Sequence, residues 1–95
     1  MIRIMARITA KSEAAGEVRA ALHELVAPTR KEKGCLSYEL FQGEDNPAEF
    51  ITTEQWADQA AADAHMGTPH VAAAIARVGA LLAQPPLIHR FKKLA

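Results

Sequence analysis

The hydrophobic period along this chain switches from two to about three and a half and back, twice, and that order of switches leaves few architectures open. From Ile2 to Thr9 it alternates, with Ile2, Ile4, Ala6 and Ile8 on one face and Arg3, Met5, Arg7 and Thr9 on the other, which reads as a strand with one core face. Ser12 then offers a cap, Glu13 and Glu17 suit the positive end of a helix dipole, and Ala15, Val18, Leu22, Leu25, Val26 and Thr29 make one apolar stripe. Pro28 should kink this helix, and Gly34, following Lys31 and Lys33, places its end near Lys33. Cys35 to Gln42 returns to the strand period, with Leu36, Tyr38 and Leu40 facing one way and Ser37, Glu39 and Phe41 the other. After the turn Gly43 to Pro47, Glu49 to Trp56 completes an antiparallel hairpin. Asp58 caps a helix over Gln59 to about Met66, Gly67-Thr68-Pro69 bends it, and His70 to Leu82 continues it with Val71, Ala74, Ile75, Val78, Leu81 and Leu82 inward. Gln84-Pro85-Pro86 ends that stretch, and Leu87 to Lys92 reads as a final strand.

The order β-α-β-β-α-β predicts an α+β, ferredoxin-like sandwich: one antiparallel sheet with its helices on one face, filling residues 1–95 as a single domain. The other face is then uncovered and carries Met5 and residues of the same parity. A chain of 95 residues is short for a self-sufficient core, so a homodimer packed sheet to sheet is expected.

Composition removes other classes. Eleven basic residues balance eleven acidic ones, which gives no general pull toward nucleic acid or an anionic membrane. No apolar run is long enough to span a bilayer, and the first residues enter a strand pattern rather than a secretory leader. A single cysteine, Cys35, permits no internal disulfide and no multi-cysteine zinc site, which fits a reducing cytosol. Neither a dinucleotide-binding glycine motif nor a phosphate-binding loop is present.

Reactive side chains concentrate between Glu54 and His70. Glu54 and Trp56 share one face of a strand end, and the bend at Gly67 to Pro69 frees His65 and His70 from helical spacing, so both can converge on one cleft. An imidazole, with an ordinary pKa near 6.5, is the natural group to take a proton from an acidic phenol or enol. His65 is therefore the first candidate base. Each residue also has a plainer reading: His65 as a partly exposed helix histidine, His70 as a helix-starting residue, Trp56 and Tyr38 as core aromatics, Cys35 as a small buried hydrophobe, and Glu54 as a salt-bridge partner of Arg7. Zinc held by His65, His70 and a carboxylate is arithmetically possible, but no tight metal-binding helical spacing announces it, and the expectation is no metal.

Gly34-Cys35-Leu36-Ser37-Tyr38, Phe50-Ile51-Thr52-Thr53-Glu54-Gln55-Trp56, Ala64-His65-Met66 and Thr68-Pro69-His70-Val71, with the opening Ile4-Met5-Ala6-Arg7, together resemble the antibiotic biosynthesis monooxygenase superfamily, particularly its small quinol monooxygenase-like members. The resemblance implies a dimeric α/β barrel of two ferredoxin-like units. It also implies oxygenation of a quinol or a polycyclic anthrone by molecular oxygen, with no flavin, haem or metal. His65 would be the base, Trp56 would wall the aromatic ring, Arg7 or Tyr38 would stabilise developing negative charge, and His70 would gate or orient the substrate. Glu54 and Met66 would complete the substrate contacts. The superfamily's haem-degrading branch carries an asparagine on the first strand and a histidine in the last helix; Ala6, Arg7 and Ile75 stand near those places here, which disfavours haem. A similar branch isomerises a small phosphorylated sugar-like signal, so a proton-shuttling isomerase is one alternative and a non-catalytic small-molecule-binding dimer another.

Overall fold

In a computed structural model describing residues 1–95, four strands form one antiparallel sheet in the order β2-β3-β1-β4. They are β1 (Ile2–Thr9), β2 (Cys35–Gln42), β3 (Glu49–Trp56) and β4 (Leu87–Phe91). Three helices, α1 (Ala15–Arg30), α2 (Gln59–Met66) and α3 (Pro69–Val78), complete the ferredoxin-like α+β fold. The alternation read in β1 is observed: Ile4, Ala6 and Ile8 are buried, while Met5 and Arg7 are exposed. Ala6 and Ile8 pack with Val18, Ala21, Leu22 and Leu25 of α1, Phe50 of β3, and Val71 and Val78 of α3 into the main core. A smaller cluster of Ile4, Trp56 and Ala62 seats α2 at the other end.

The boundaries depart from expectation where local chemistry decides them. Ser12 opens a short 3-10 turn, Ser12–Ala14, and makes no side-chain cap. Helix α1 stops at Arg30 rather than near Lys33. Pro28 lies in its last turn, and the amides of Lys31 and Glu32 fold back onto the carbonyls of Pro28 at 3.2 Å and Thr29 at 3.0 Å, tightening the end into 3-10 geometry. Helix α3 ends at Val78 instead of Leu82, with a 3-10 turn over Gly79–Leu81. Here the chain is drawn out by β1: Lys11 donates to the Leu81 carbonyl at 2.8 Å and Ala83 to the Thr9 carbonyl at 2.9 Å. The last strand ends at Phe91, one residue short of Lys92.

Leu36 is a further correction. Cys35 pairs with Trp56 but Ser37 pairs with Gln55, so Leu36 is the extra residue of a β-bulge. It is exposed and does not share a face with buried Tyr38. Beyond the bulge the register sets Tyr38 opposite Glu54, Glu54 opposite Ile4, and Ile4 opposite Arg90. This row crosses all four strands on the helix side. The reverse face carries a row of Phe41, Ile51, Arg7 and Leu87, uncovered in the chain alone.

Gly34 joins the end of α1 to β2 at φ 85°, a left-handed conformation that favours glycine, and a Cβ there would lie 2.5 Å from the Ala61 Cβ of α2. Gly34→Ala combines backbone strain with a clash and should destabilise the fold by about 1–3 kcal/mol, read as a lower urea midpoint with an unchanged slope.

Candidate functional site

Between the sheet and the helices lies a cavity of about 660 Å³. The buried faces of β1 and β3, Leu22 and Leu25 of α1, and Val71, Ile75 and Val78 of α3 give it an apolar wall. Its polar groups come from few residues: Tyr38, Thr52 and Glu54 on the sheet, His65 on α2, Arg90 on β4, and Gln84 before it. Most of the wall therefore suits an apolar ligand, with the polar groups in place to orient it.

His65 is held from behind. Asp58 caps α2 by accepting from the Ala61 amide at 2.8 Å, and the bend after Met66 is fixed by the Thr68 hydroxyl, which donates to the His65 carbonyl at 2.7 Å. The ring stacks obliquely on Trp56, with centroids 4.8 Å apart, and lies 5.8 Å from that of Tyr38. Its Nδ1 sits 2.7 Å from Oε2 of Glu32, and the same oxygen sits 2.7 Å from Nε2 of His70. A carboxylate only accepts hydrogen bonds, so these contacts place a proton on His65 Nδ1, and in the neutral ring Nε2 then carries the lone pair. Thr29 Oγ1 is the one side-chain oxygen or nitrogen fully buried without a partner. Nε2 of His65 and the hydroxyl of Tyr38 make no protein hydrogen bond and are not sealed in, and the open space both residues border is the cavity.

Burial is the main cause that pushes the Tyr38 phenol well above the ordinary tyrosine range, and the nearby Glu54 carboxylate adds to it. Tyr38 thus enters the cavity as a hydrogen-bond donor. Glu54 is itself occupied: its Oε2 accepts from the Thr52 hydroxyl at 2.8 Å and its Oε1 from Trp56 Nε1 at 3.0 Å. Burial, with Glu32 and Glu54 adding, also raises the Cys35 thiol, which argues against a thiolate nucleophile.

The structure thus brings together His65, Tyr38, Glu54 and Met66 on one cavity. Trp56 is fully buried beneath His65 and Glu54 and is absent from the cavity wall, so it braces the site instead of walling a ring. His70 reaches the site through its hydrogen bond to Glu32, with its ring 6.2 Å from that of His65, and lies off the wall. Arg7 is not part of it. Its guanidinium points from the opposite face of the sheet to Glu49 at 2.8 Å, and the Arg7–Glu54 pair does not form because Arg7 stands across from Ile51. Sequence reasoning passed over Glu32, which reads as one charge in the solvated run Lys31-Glu32-Lys33, and Arg90, which pairs with Asp63 of α2 at the cavity's edge. With α1 read as running to near Lys33, Glu32 stays on a helix surface, and no local signal shows that this run turns inward.

Comparison with known proteins follows the same lines. Residues 1–77 match the family model described as antibiotic biosynthesis monooxygenase. The chain is 36% identical over 84 residues to "Putative monooxygenase Rv0793" of Mycobacterium tuberculosis, covering 88% of this chain and 82% of that one. It is 36% identical over 87 residues to "Putative monooxygenase YcnE" of Bacillus subtilis, covering 90% of each. Among solved structures, a crystal structure described as an antibiotic biosynthesis monooxygenase superposes with a TM-score of 0.94 at 32% identity over 100% of both chains. PA3566 of Pseudomonas aeruginosa gives 0.92 at 37% identity, over 99% of this chain and 94% of that one.

Tyr38 is the only tyrosine, so its titration can be followed alone. Free tyrosine ionises near pH 10; in the folded protein the phenolate absorbance should still be absent there. Because the folded state keeps the proton that the unfolded chain releases, stability should fall as pH rises above about 10. A Tyr38 that titrates at the ordinary value in the folded protein contradicts the buried, donor assignment.

Proposed function

This chain belongs to the antibiotic biosynthesis monooxygenase family, and from that premise we propose that it oxygenates an electron-rich aromatic, of quinol or anthrone type, with molecular oxygen and without a cofactor. The observation that carries the reading is the pairing, on one largely apolar cavity, of an imidazole lone pair at His65 Nε2 with the unengaged hydroxyl of Tyr38.

In this mechanism His65 Nε2 removes the acidic proton of the substrate. The resulting imidazolium is stabilised by Glu32, whose carboxylate already accepts from Nδ1. Tyr38 donates to the substrate oxygen on which negative charge develops. The protein's part is to raise electron density on the ring and to hold the anion away from water, after which the substrate itself reduces oxygen. The balance is complete without another reductant: a CH₂ of an anthrone plus O₂ gives a C=O and one water, the substrate supplying all four electrons. A hydroquinone plus O₂ likewise gives a hydroxyquinone and water. Trp56 acts as a positioning residue, since it reaches the reacting group only through His65, while Thr52 and Glu54 border the cavity with their polar atoms engaged on one another and on Trp56.

We further assign the uncovered sheet face to a homodimer contact within one 95-residue domain, because Met5, Phe41, Leu87 and Phe91 are all exposed on it. The free Cys35 supports placement in a reducing cytosol. No helix is long and apolar enough to cross a membrane.

His65→Ala should lower the rate of oxygen-dependent product formation about 10²–10⁴-fold and Tyr38→Phe about 10²–10³-fold, with unchanged circular dichroism. Oxygen-electrode assays over hydroquinones and anthrones, corrected for autoxidation, measure this. Turnover that persists under strict anaerobiosis overturns the oxygenase reading in favour of an isomerase. Independently, sedimentation should give a dimer that Leu87→Glu converts to a monomer; a wild-type monomer overturns the dimer assignment.

A further inference from the structure

The arrangement behind His65 does more than orient a base. Glu32 Oε2, His65 Nδ1 and His70 Nε2 all lie within 4.8 Å of one another. Glu32 and His65 are largely shielded, with side chains 12% and 7% exposed, while His70 at 24% opens the group to solvent. Two imidazoles and one carboxylate oxygen from three separate parts of the chain are a borderline-soft, three-ligand set that leaves a fourth position for water. The expected absence of metal rested on the lack of tight metal-binding spacing within one helix, with the carboxylate unnamed. The fold supplies that carboxylate from the turn before β2.

We propose that Glu32, His65 and His70 form a binding site for a divalent cation of the zinc class, and that the bound ion, by occupying Nδ1 of His65, turns Nε2 from a proton acceptor into a donor. Zinc takes nitrogen and oxygen ligands at about 2.0–2.1 Å, which in a tetrahedral arrangement sets them roughly 3.4 Å apart. The two 2.7 Å contacts to Glu32 must therefore lengthen, and the imidazoles must draw together, by under about 1 Å for each side chain. Glu32 stands on a turn and His70 at the start of α3, so neither adjustment disturbs the sheet.

The ion and the substrate occupy opposite sides of the same ring. Of the three ligands only His65 borders the cavity, so the cation does not meet the substrate. Its effect passes through the imidazole. With Nδ1 coordinated, a neutral ring carries its one proton on Nε2; His70, coordinated through Nε2, carries its proton on Nδ1. Protons change place within each ring, none is lost, and no ligand needs to change charge. This consequence for catalysis rests on the role given to His65 above, whereas binding and the ring protonation do not. A base that is available only when the cation is absent is a switch set by free zinc.

The chain's only tryptophan provides a reporter, since Trp56 lies 4.8 Å from the His65 ring. Chelator-treated wild-type protein titrated with Co²⁺ should show quenching of Trp56 emission and visible d–d bands, both saturating at one ion per chain, and Zn²⁺ should reverse both. Glu32→Gln and His70→Gln should each weaken the apparent affinity at least tenfold, while His23→Gln and His89→Gln, which alter the two remaining histidines, should leave it unchanged. Nitrogen-15 spectra of the wild-type imidazoles should show His65 protonated at Nδ1 without metal and at Nε2 with Zn²⁺. No saturable quenching, or binding that survives His70→Gln and disappears with His23→Gln or His89→Gln, overturns the site. Saturable binding with His65 still protonated at Nδ1 overturns the switch. Neither measurement uses turnover, so absent oxygenation would count against the proposed function alone.

Discussion

One oxygen atom organises this molecule's chemistry. Glu32 Oε2 accepts from histidines on two different helices at 2.7 Å each, and it does so from the turn that ends a third. Neutral hydrogen bonds of this kind contribute modestly, but one made to a carboxylate in a shielded place is worth roughly 1.5–3 kcal/mol. The larger effect is on geometry. Without Glu32 neither ring would have a hydrogen-bond partner, and packing against Trp56 alone would not decide which nitrogen of His65 carries the proton. With it, His65 is pinned at Nδ1, stacked on Trp56, and presents Nε2 alone to the cavity.

The turn can reach that position because of two residues that chain statistics would treat as ordinary punctuation. Pro28 brings α1 to a close in its last turn, and Gly34, at φ 85° against Ala61, lets the chain pass close under α2 on its way into β2. The bulge at Leu36 then reverses the parity that a plain alternation would give. Tyr38 consequently faces the helices in the same row as Glu54. Three local irregularities within ten or so residues therefore set up the base, the donor and the carboxylate that holds the base.

Sequence periodicity recovered the order of elements, the core face of β1 and the hairpin, because burial on one face leaves a two-residue signature that short strands retain. It missed what depends on long-range closure. The end of α3 was misplaced because hydrogen bonds from Lys11 and Ala83 across β1, invisible to local pattern, outweigh the apolar run at Leu81 and Leu82. Among site residues, His65 and Tyr38 were legible as chemistry-bearing groups on elements that face the interior. Trp56 was assigned to the wall because an aromatic suits an aromatic ligand, yet its only polar atom is bound to Glu54, which draws it beneath the wall. Glu32 was illegible for a different reason. A carboxylate between two lysines reads as solvated surface, and only the three-dimensional proximity of α2 and α3 shows otherwise.

The cavity itself explains why the site is built from so few polar groups. A chain of this size with an open cavity of about 660 Å³ gives up packing that would otherwise stabilise it. Each uncompensated polar atom on that wall would add a further penalty of roughly 1–3 kcal/mol. Thr52, Glu54 and Trp56 satisfy one another, and Arg90 is paired with Asp63 at the edge. Apart from exposed Gln84 at the rim, the atoms left without partners are His65 Nε2 and the Tyr38 hydroxyl, whose hydrogen bonding a ligand would complete. A small domain can carry few such vacancies, which concentrates its recognition of an aromatic anion on one acceptor and one donor.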